Sequence, residues 1–421
     1  MTKPVSRGLV AMLALLAGTA WAELMPGGKV EELLAIARQQ SPEVMALRLE
    51  AEAAMERAAS SGALADPLLR TELRNITNNG SPASPNLLPA RVGSTKYTLI
   101  QPLPFWGKRE LKREAAAAGA DEARGLADLA WSELAARIKT AYAQDYALLR
   151  QAALTREVMD LVERLESISR ARYAGGLAVQ QDVIRLRVER TALQAELIQL
   201  ENERHHAQVR INGLLARSAH AQLADPETLR SPPPAASLDY AALAERLRER
   251  NPQLFADAAR IRVAEKNRAS TYRNRYPDVA LGVSPIQTRE RVSEWELMLE
   301  VNIPLQQESR RGQEREAERL LEAARARREA SANRLLAELA ENLSALEAAR
   351  RVELLAGGDL LPQAELTFQS ALAGYENGKV DFATLLDAQR QIRKAKQDVL
   401  KAQAEQQARL ADIERLIGED L

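Results

Sequence analysis

Tyr173-Ala174-Gly175-Gly176 ends a run of 65 residues, Lys108 to Arg172, that contains no proline, and it returns as Tyr375-Glu376-Asn377-Gly378 at an offset of 202. Glycine after a long helix-forming stretch supplies the left-handed backbone with which a helix reverses at little steric cost. Outward from these two turns, other landmarks repeat. Ile211-Asn212-Gly213-Leu214 corresponds to Ile413-Glu414-Arg415-Leu416 at 202, and Leu103-Pro104 to Ile303-Pro304 at 200. Ser41-Pro42 and Asp66-Pro67 correspond to Asn251-Pro252 and Tyr276-Pro277 at 210. The chain is therefore a duplication. The change of ten falls between Pro67 and Leu103, where Thr77-Asn78-Asn79-Gly80-Ser81-Pro82 and Pro85 to Pro89 read as a long loop. The first repeat occupies 23–224 and the second 239–421. Between them lies a linker, 225–238, whose Asp225-Pro226 and Pro232-Pro233-Pro234 cannot continue a helix.

Each repeat reads as helix, two strands, very long helix, tight turn, helix. As one helix, the 65 residues from Lys108 would run roughly 97 Å, too long for a globular core. Its counterpart, Arg310 to Gly374, holds Gly357, Gly358 and Pro362, which predict a kink. In the return helix, positions 186, 190, 193, 197, 200, 204, 207, 211 and 214 carry seven apolar residues of nine, as do their counterparts from 388 to 416. That spacing by four and three is a coiled-coil seam. Between the helices the period changes to two. Trp295, Leu297, Leu299, Val301 and Ile303 alternate with Glu294, Glu296, Glu300 and Asn302; Leu69, Thr71 and Leu73 alternate with Arg70, Glu72 and Arg74. Val279, Leu281 and Val283, and Tyr97 and Leu99, complete four strands. An apolar face opposite a charged one suits a barrel wall between lipid and a wet lumen. Four strands cannot close a barrel, so a membrane role demands an oligomer.

Composition narrows the function. Among 421 residues, 58 basic and 58 acidic side chains balance, without the basic excess that marks nucleic-acid binding. There is no cysteine, hence no thiol nucleophile, no cysteine zinc site and no lipid anchor on an N-terminal cysteine. The three histidines show no ligand spacing: His205 and His206 are adjacent on a helix, and His220 lies apart in sequence. Gly175-Gly176 lacks the strand and the Gly-Lys-Ser of a phosphate loop. No catalytic set, metal site or cofactor is expected, and the chain does not read as an enzyme. Residues 1–22, with Lys3 and Arg7 before an apolar run from Leu9 to Ala20 and Ala20-Trp21-Ala22 at its end, read as a secretory signal peptide.

With Gln101-Pro102-Leu103-Pro104-Phe105-Trp106-Gly107-Lys108-Arg109 at a strand-to-helix junction and the two Tyr-x-x-Gly turns, this order of elements resembles the outer-membrane efflux protein family, TolC-like. The likeness covers about residues 29 to 418, and Gly107-Lys108-Arg109 is similar to the branch serving heavy-metal resistance pumps. The resemblance implies a mainly α protein with a small β part. Three chains would give four strands each to a twelve-stranded transmembrane barrel, continued by a coiled-coil tunnel across the periplasm. It implies the exit duct of a tripartite efflux system for metal ions or small toxic compounds, working with a periplasmic adaptor and an inner-membrane pump. The alternative is a soluble periplasmic coiled-coil adaptor or scaffold whose strands pack on its own helices.

Three sets of residues are expected to matter. Phe105, Trp106 and Tyr276 should mark the periplasmic rim of the barrel, where amphipathic rings favour the lipid boundary. Gly175, Gly176, Leu177, Asn377 and Gly378 should form exposed tips, with the apolar step from Leu177 to Val179 seating an adaptor hairpin. The resemblance also implies a gate: a hydrogen bond between Asp182 and Tyr375 holding the tips shut, and a ring of Asp387 carboxylates narrowing the lumen. Thr384 stands where a second acidic ring would be, and Val380 where a basic gate residue would be.

Overall fold

A computed structural model describes residues 25–77, 87–176 and 178–421. The signal-peptide stretch 1–22, most of the first-repeat loop and Leu177 lie outside the described residues. The first repeat runs α1 (Val30–Gln40), α2 (Pro42–Ser61), β1 (Leu68–Arg74), β2 (Ser94–Leu103), α3 (Lys108–Ala174) and α4 (Gln180–Leu214). The second runs α5 (Tyr240–Arg250), α6 (Pro252–Arg273), β3 (Asp278–Thr288), β4 (Arg291–Asn302), α7 (Gln307–Leu354), α8 (Leu361–Glu376) and α9 (Phe382–Ile417).

The single leading helix expected in each repeat is instead two. Ser41 and Asn251 each end one helix and cap the next, accepting from Val44 N and Leu254 N, with proline at the following position. Proline in the first turn loses no helical hydrogen bond, while its predecessor is driven to extended backbone, so the pair restarts the helix at a new angle. The expected kink in the second long helix is also different in kind. Leu355–Leu360 form a π-helical turn between α7 and α8, and the helical backbone passes through it unbroken. The buried seam explains why. It steps by four and three through Leu335, Leu339, Asn342, Leu346, Ala349, half-buried Glu353 and Ala356. It resumes at Ala364, Phe368, Ala371 and Tyr375. From Ala356 to Ala364 is eight residues where a heptad has seven, and a wider π turn absorbs the one in excess. By contrast, α3 runs 67 residues as unbroken α-helix, about 100 Å.

The four strands form one antiparallel sheet in the order β1-β2-β3-β4. Its register aligns Leu69, Leu99, Val283 and Leu297 across all four strands, and these side chains are 69%, 48%, 37% and 90% exposed. The opposite face carries Arg70, Glu72, Lys96, Glu296 and Glu300, with Lys96 paired to Glu296 and Thr98 bonded to Ser284 at 2.9 Å. Among the described residues no helix covers the apolar row, which argues against a hairpin buried on its own protein. Among the described residues no helix is long and apolar enough to cross a membrane.

Duplication makes the missing contacts as informative as the present ones. Within the chain β2 pairs β3, and α3 packs on both α6 and α9; each joins the first repeat to the second. The repeat-related contacts would be β4 on β1, α7 on α2 and α8 on α4. Among the described residues none of these forms comparable packing within the chain. All three unpaired surfaces can be met at once by a neighbouring copy, which turns the repeat into a ring.

Candidate functional site

The two turns share one geometry. Gly176 N donates to Tyr173 O at 3.0 Å and Gly378 N to Tyr375 O at 3.0 Å, with φ of +72° and +70° at the two glycines. Gly175 and Asn377 precede them in right-handed backbone, so only the second residue of each pair needs glycine's freedom. Both hairpins then bury into one apolar cluster in which Val162, Leu165 and Leu186 meet Ala371, Tyr375, Phe382 and Leu385. The Tyr375 and Phe382 rings meet edge to face at 5.7 Å. Asp381 caps α9 by accepting from Thr384 N at 3.0 Å, and bonds to the Thr384 hydroxyl, which hold its carboxyl below the usual range. Thr384, the residue standing in place of an acidic ring, is thereby engaged as a cap partner.

The implied bond between Asp182 and Tyr375 is not made. Tyr375 Oη is buried and, among the described residues, without a hydrogen-bond partner. Asp182 is half-buried; burial pushes its carboxyl up, and Asp381 adds to that against the pull of Arg185 and Arg172. A different residue joins the tips. Arg172, in the last turn of α3, donates from Nη1 to Tyr375 O at 2.6 Å and to Glu376 O at 3.1 Å. Its guanidinium carbon lies 4.7 Å from the centre of the Tyr375 ring. Sequence periodicity could not reveal this contact, because it spans 203 residues. Val380 packs against Gly374 so closely that a Cβ at that glycine would lie 2.4 Å from Val380 Cγ2. Asp387 is exposed, 3.8 Å from Arg390, whose main partner is the buried Glu189.

At the other end of the long helices, Phe105 and Tyr276 stack with ring centres 4.5 Å apart and planes 8° from parallel. Asp278 fixes this junction by accepting from Phe105 N and Lys108 Nζ, both at 2.8 Å. Lys108 also reaches Tyr276 O at 3.3 Å, and Arg109 reaches Gly62 O at 2.8 Å. Trp106 is 87% exposed at the same turn. Phe105 and Trp106 lie between β2 and α3, and Tyr276 between α6 and β3, so all three stand where strands become helices. Near the middle of the molecule, the separation of His220 from the other histidines proves to be only sequential. Its ring is 6.2 Å from that of His205, which is 6.3 Å from His206. Among the described residues no three His, Asp or Glu side chains are grouped to hold a metal ion.

The model of the outer membrane efflux protein family matches residues 33–217 and 243–419. No curated protein matches the chain. Several solved structures share its fold. CusC, 17% identical, aligns over 96% of this chain and 96% of its own with a TM-score of 0.80. The OprN outer-membrane channel, 19% identical, aligns over 92% and 89% with a TM-score of 0.79. VceC of Vibrio cholerae, 17% identical, aligns over 93% and 96% with a TM-score of 0.77.

Proposed function

This chain belongs to the outer membrane efflux protein family, and we propose from that premise how its residues build and close the duct. It is an outer-membrane efflux channel of the tripartite kind, reaching into the periplasm, and the soluble adaptor or scaffold is set aside. The observation that carries the rest is the exposed apolar row Leu69, Leu99, Val283 and Leu297 on a sheet with two open edges. Three copies joined β4 to β1 give twelve strands with that row turned to lipid and the Glu296 face turned to the lumen. α2, α4, α7 and α8 then complete the helical ring beneath. Phe105, Trp106 and Tyr276 lie at the lower rim, where the stacked pair and the exposed indole sit at the lipid boundary.

The tips at Gly175, Gly176, Asn377 and Gly378 face the periplasm and receive the adaptor, through which an inner-membrane pump delivers cargo. Gly107-Lys108-Arg109 says little about that cargo, since Lys108 and Arg109 are spent on Asp278, Tyr276 O and Gly62 O. Metal ions and small toxic compounds both fit a passive duct. Growth of a deletion strain on a panel of metals, dyes and antibiotics discriminates between them. The tips also close the tunnel at rest, and exposed Asp387 contributes a ring of three carboxylates that attracts cations. In planar bilayers the wild-type trimer should conduct little at rest, with residual current blocked by trivalent cations from the periplasmic side. Asp387→Ala should remove that block; block of equal strength in the variant would take Asp387 out of the constriction.

A further inference from the structure

We propose that Arg172 is the residue that holds the two hairpins of one protomer together at the closed end, in place of a bond between Asp182 and Tyr375. The inference rests on the reading that the tips close the tunnel. Its ground is separate, the contact of Arg172 with the backbone and ring of Tyr375.

Consider what each candidate latch offers. A latch through Tyr375 would use its hydroxyl, yet among the described residues of the chain that buried oxygen has no hydrogen-bond partner. The backbone of the same residue is taken instead. Tyr375 O, which also accepts from Gly378 N in the turn, and Glu376 O are among the last carbonyls of α8, which have no partner within the helix. Oriented peptide dipoles make that end partly negative, so a guanidinium is well placed there. Arg172 comes from the corresponding last turn of α3, the other hairpin of the same chain. One flat cation thus crosses from tip to tip, bonding two carbonyls and lying over a ring.

The repeat sharpens the assignment. At the offset of 202 that relates the two turns, the counterpart of Arg172 is Gly374, the residue whose missing side chain admits Val380. Arg172 thus has no cationic counterpart in the second tip at that offset, and its own guanidinium reaches across to the facing hairpin. The contact is also suited to release. Among the described residues Nε of Arg172 is buried without a partner, so within the chain the guanidinium is only partly satisfied. A docking partner that offers carbonyl or carboxylate oxygens can take the whole fork at modest cost. Asp182 then acts as a neighbouring charge on Arg172 rather than as a bonded member.

Resting conductance of purified trimers in planar bilayers tests this. Arg172→Ala should raise the open fraction by about tenfold, the shift that corresponds to about 1.4 kcal/mol. Arg172→Lys, which keeps charge but loses the flat fork, should fall between it and wild type. Tyr375→Phe, which removes only the unbonded hydroxyl, should stay as tight as wild type, whereas Tyr375→Leu should leak. Unheated gel migration checks that each variant is trimeric. If Arg172→Ala fails to assemble, Arg172→Lys and Tyr375→Leu carry the test: leak in both supports the clasp, and wild-type tightness in both overturns it. A leaky Tyr375→Phe beside a tight Arg172→Ala would restore the hydroxyl latch. A wild-type trimer that is open at rest would remove the gate altogether, a result distinct from a tight wild type with a tight Arg172→Ala, which removes only Arg172.

Discussion

Substituting Leu297 by arginine tests which face of the sheet meets lipid. Leu297 lies six residues after Arg291 and five before Asn302, the ends of β4, so it is close to the middle of the strand. At about 3.3 Å per residue, reduced by barrel tilt, that position falls near the bilayer midplane. It is the most exposed member of the row that includes Leu69, Leu99 and Val283. Arginine on the lipid face of a barrel at that depth costs about 2–4 kcal/mol, and threefold repetition makes it about 6–12 kcal/mol per trimer. Such a loss is comparable with the whole stability of an ordinary domain. Glu300→Arg, on the opposite face, places the same side chain in a wet lumen and should cost little. Folding is measured by diluting urea-unfolded chain into phosphatidylcholine vesicles and reading the fraction that migrates as an unheated trimer, together with its urea midpoint. Leu297→Arg should lower both sharply, and Glu300→Arg should match wild type within about 1 kcal/mol per chain. Normal insertion of Leu297→Arg with failure of Glu300→Arg would mean that the sheet is turned the other way.

Glu414 is buried between Lys139 Nζ at 2.7 Å and both terminal nitrogens of Arg230, at 3.0 and 2.9 Å. Glu414→Ala leaves Arg230 without its carboxylate, while Lys139 keeps Asp420, and should lower stability by about 3 kcal/mol, read as a lower thermal midpoint of helix loss; a midpoint within error of wild type would show that water already compensates the freed guanidinium. Gly374→Ala places a Cβ against Val380 and should loosen the second tip, measured as faster proteolysis there, while Val380→Ala in the same chain should restore protection. Deleting Gly358 turns the eight-residue seam step into seven and should leave a trimer as heat-resistant as wild type. Deleting Ala340 breaks the step from Leu339 to Asn342 and should abolish assembly, so equal outcomes for the two deletions would refute the register argument.

The repeat, the strands and the tips were readable because each depends on local order: a period of two in Trp295 to Ile303, a helix-forming run, a glycine after it. The paired helices at Ser41-Pro42 and Asn251-Pro252 were also readable in principle, since a capping residue before proline is a helix start. They serve as repeat landmarks in the sequence, and their capping chemistry is what divides the helices. The π turn is harder, because Gly357-Gly358 and Pro362 suggest a break while the seam counts only one residue in excess. Contacts distant in sequence were beyond reach. Arg172 on Tyr375 O, Glu414 with Lys139 and Arg230, and His205 beside His220 join segments whose meeting only the folded helices decide.

The π turn gives the two long struts of a protomer unequal stiffness. α3 runs along 67 residues of continuous α-helix, whereas the α7–α8 strut contains one π turn of wider winding. That turn lies about 17 residues above the second tip, or roughly 25 Å. A lateral push at the second tip should therefore be taken up first by flexure at Leu355–Leu360, before it reaches β4. The first hairpin works as a fixed post and the second as a sprung arm beside it.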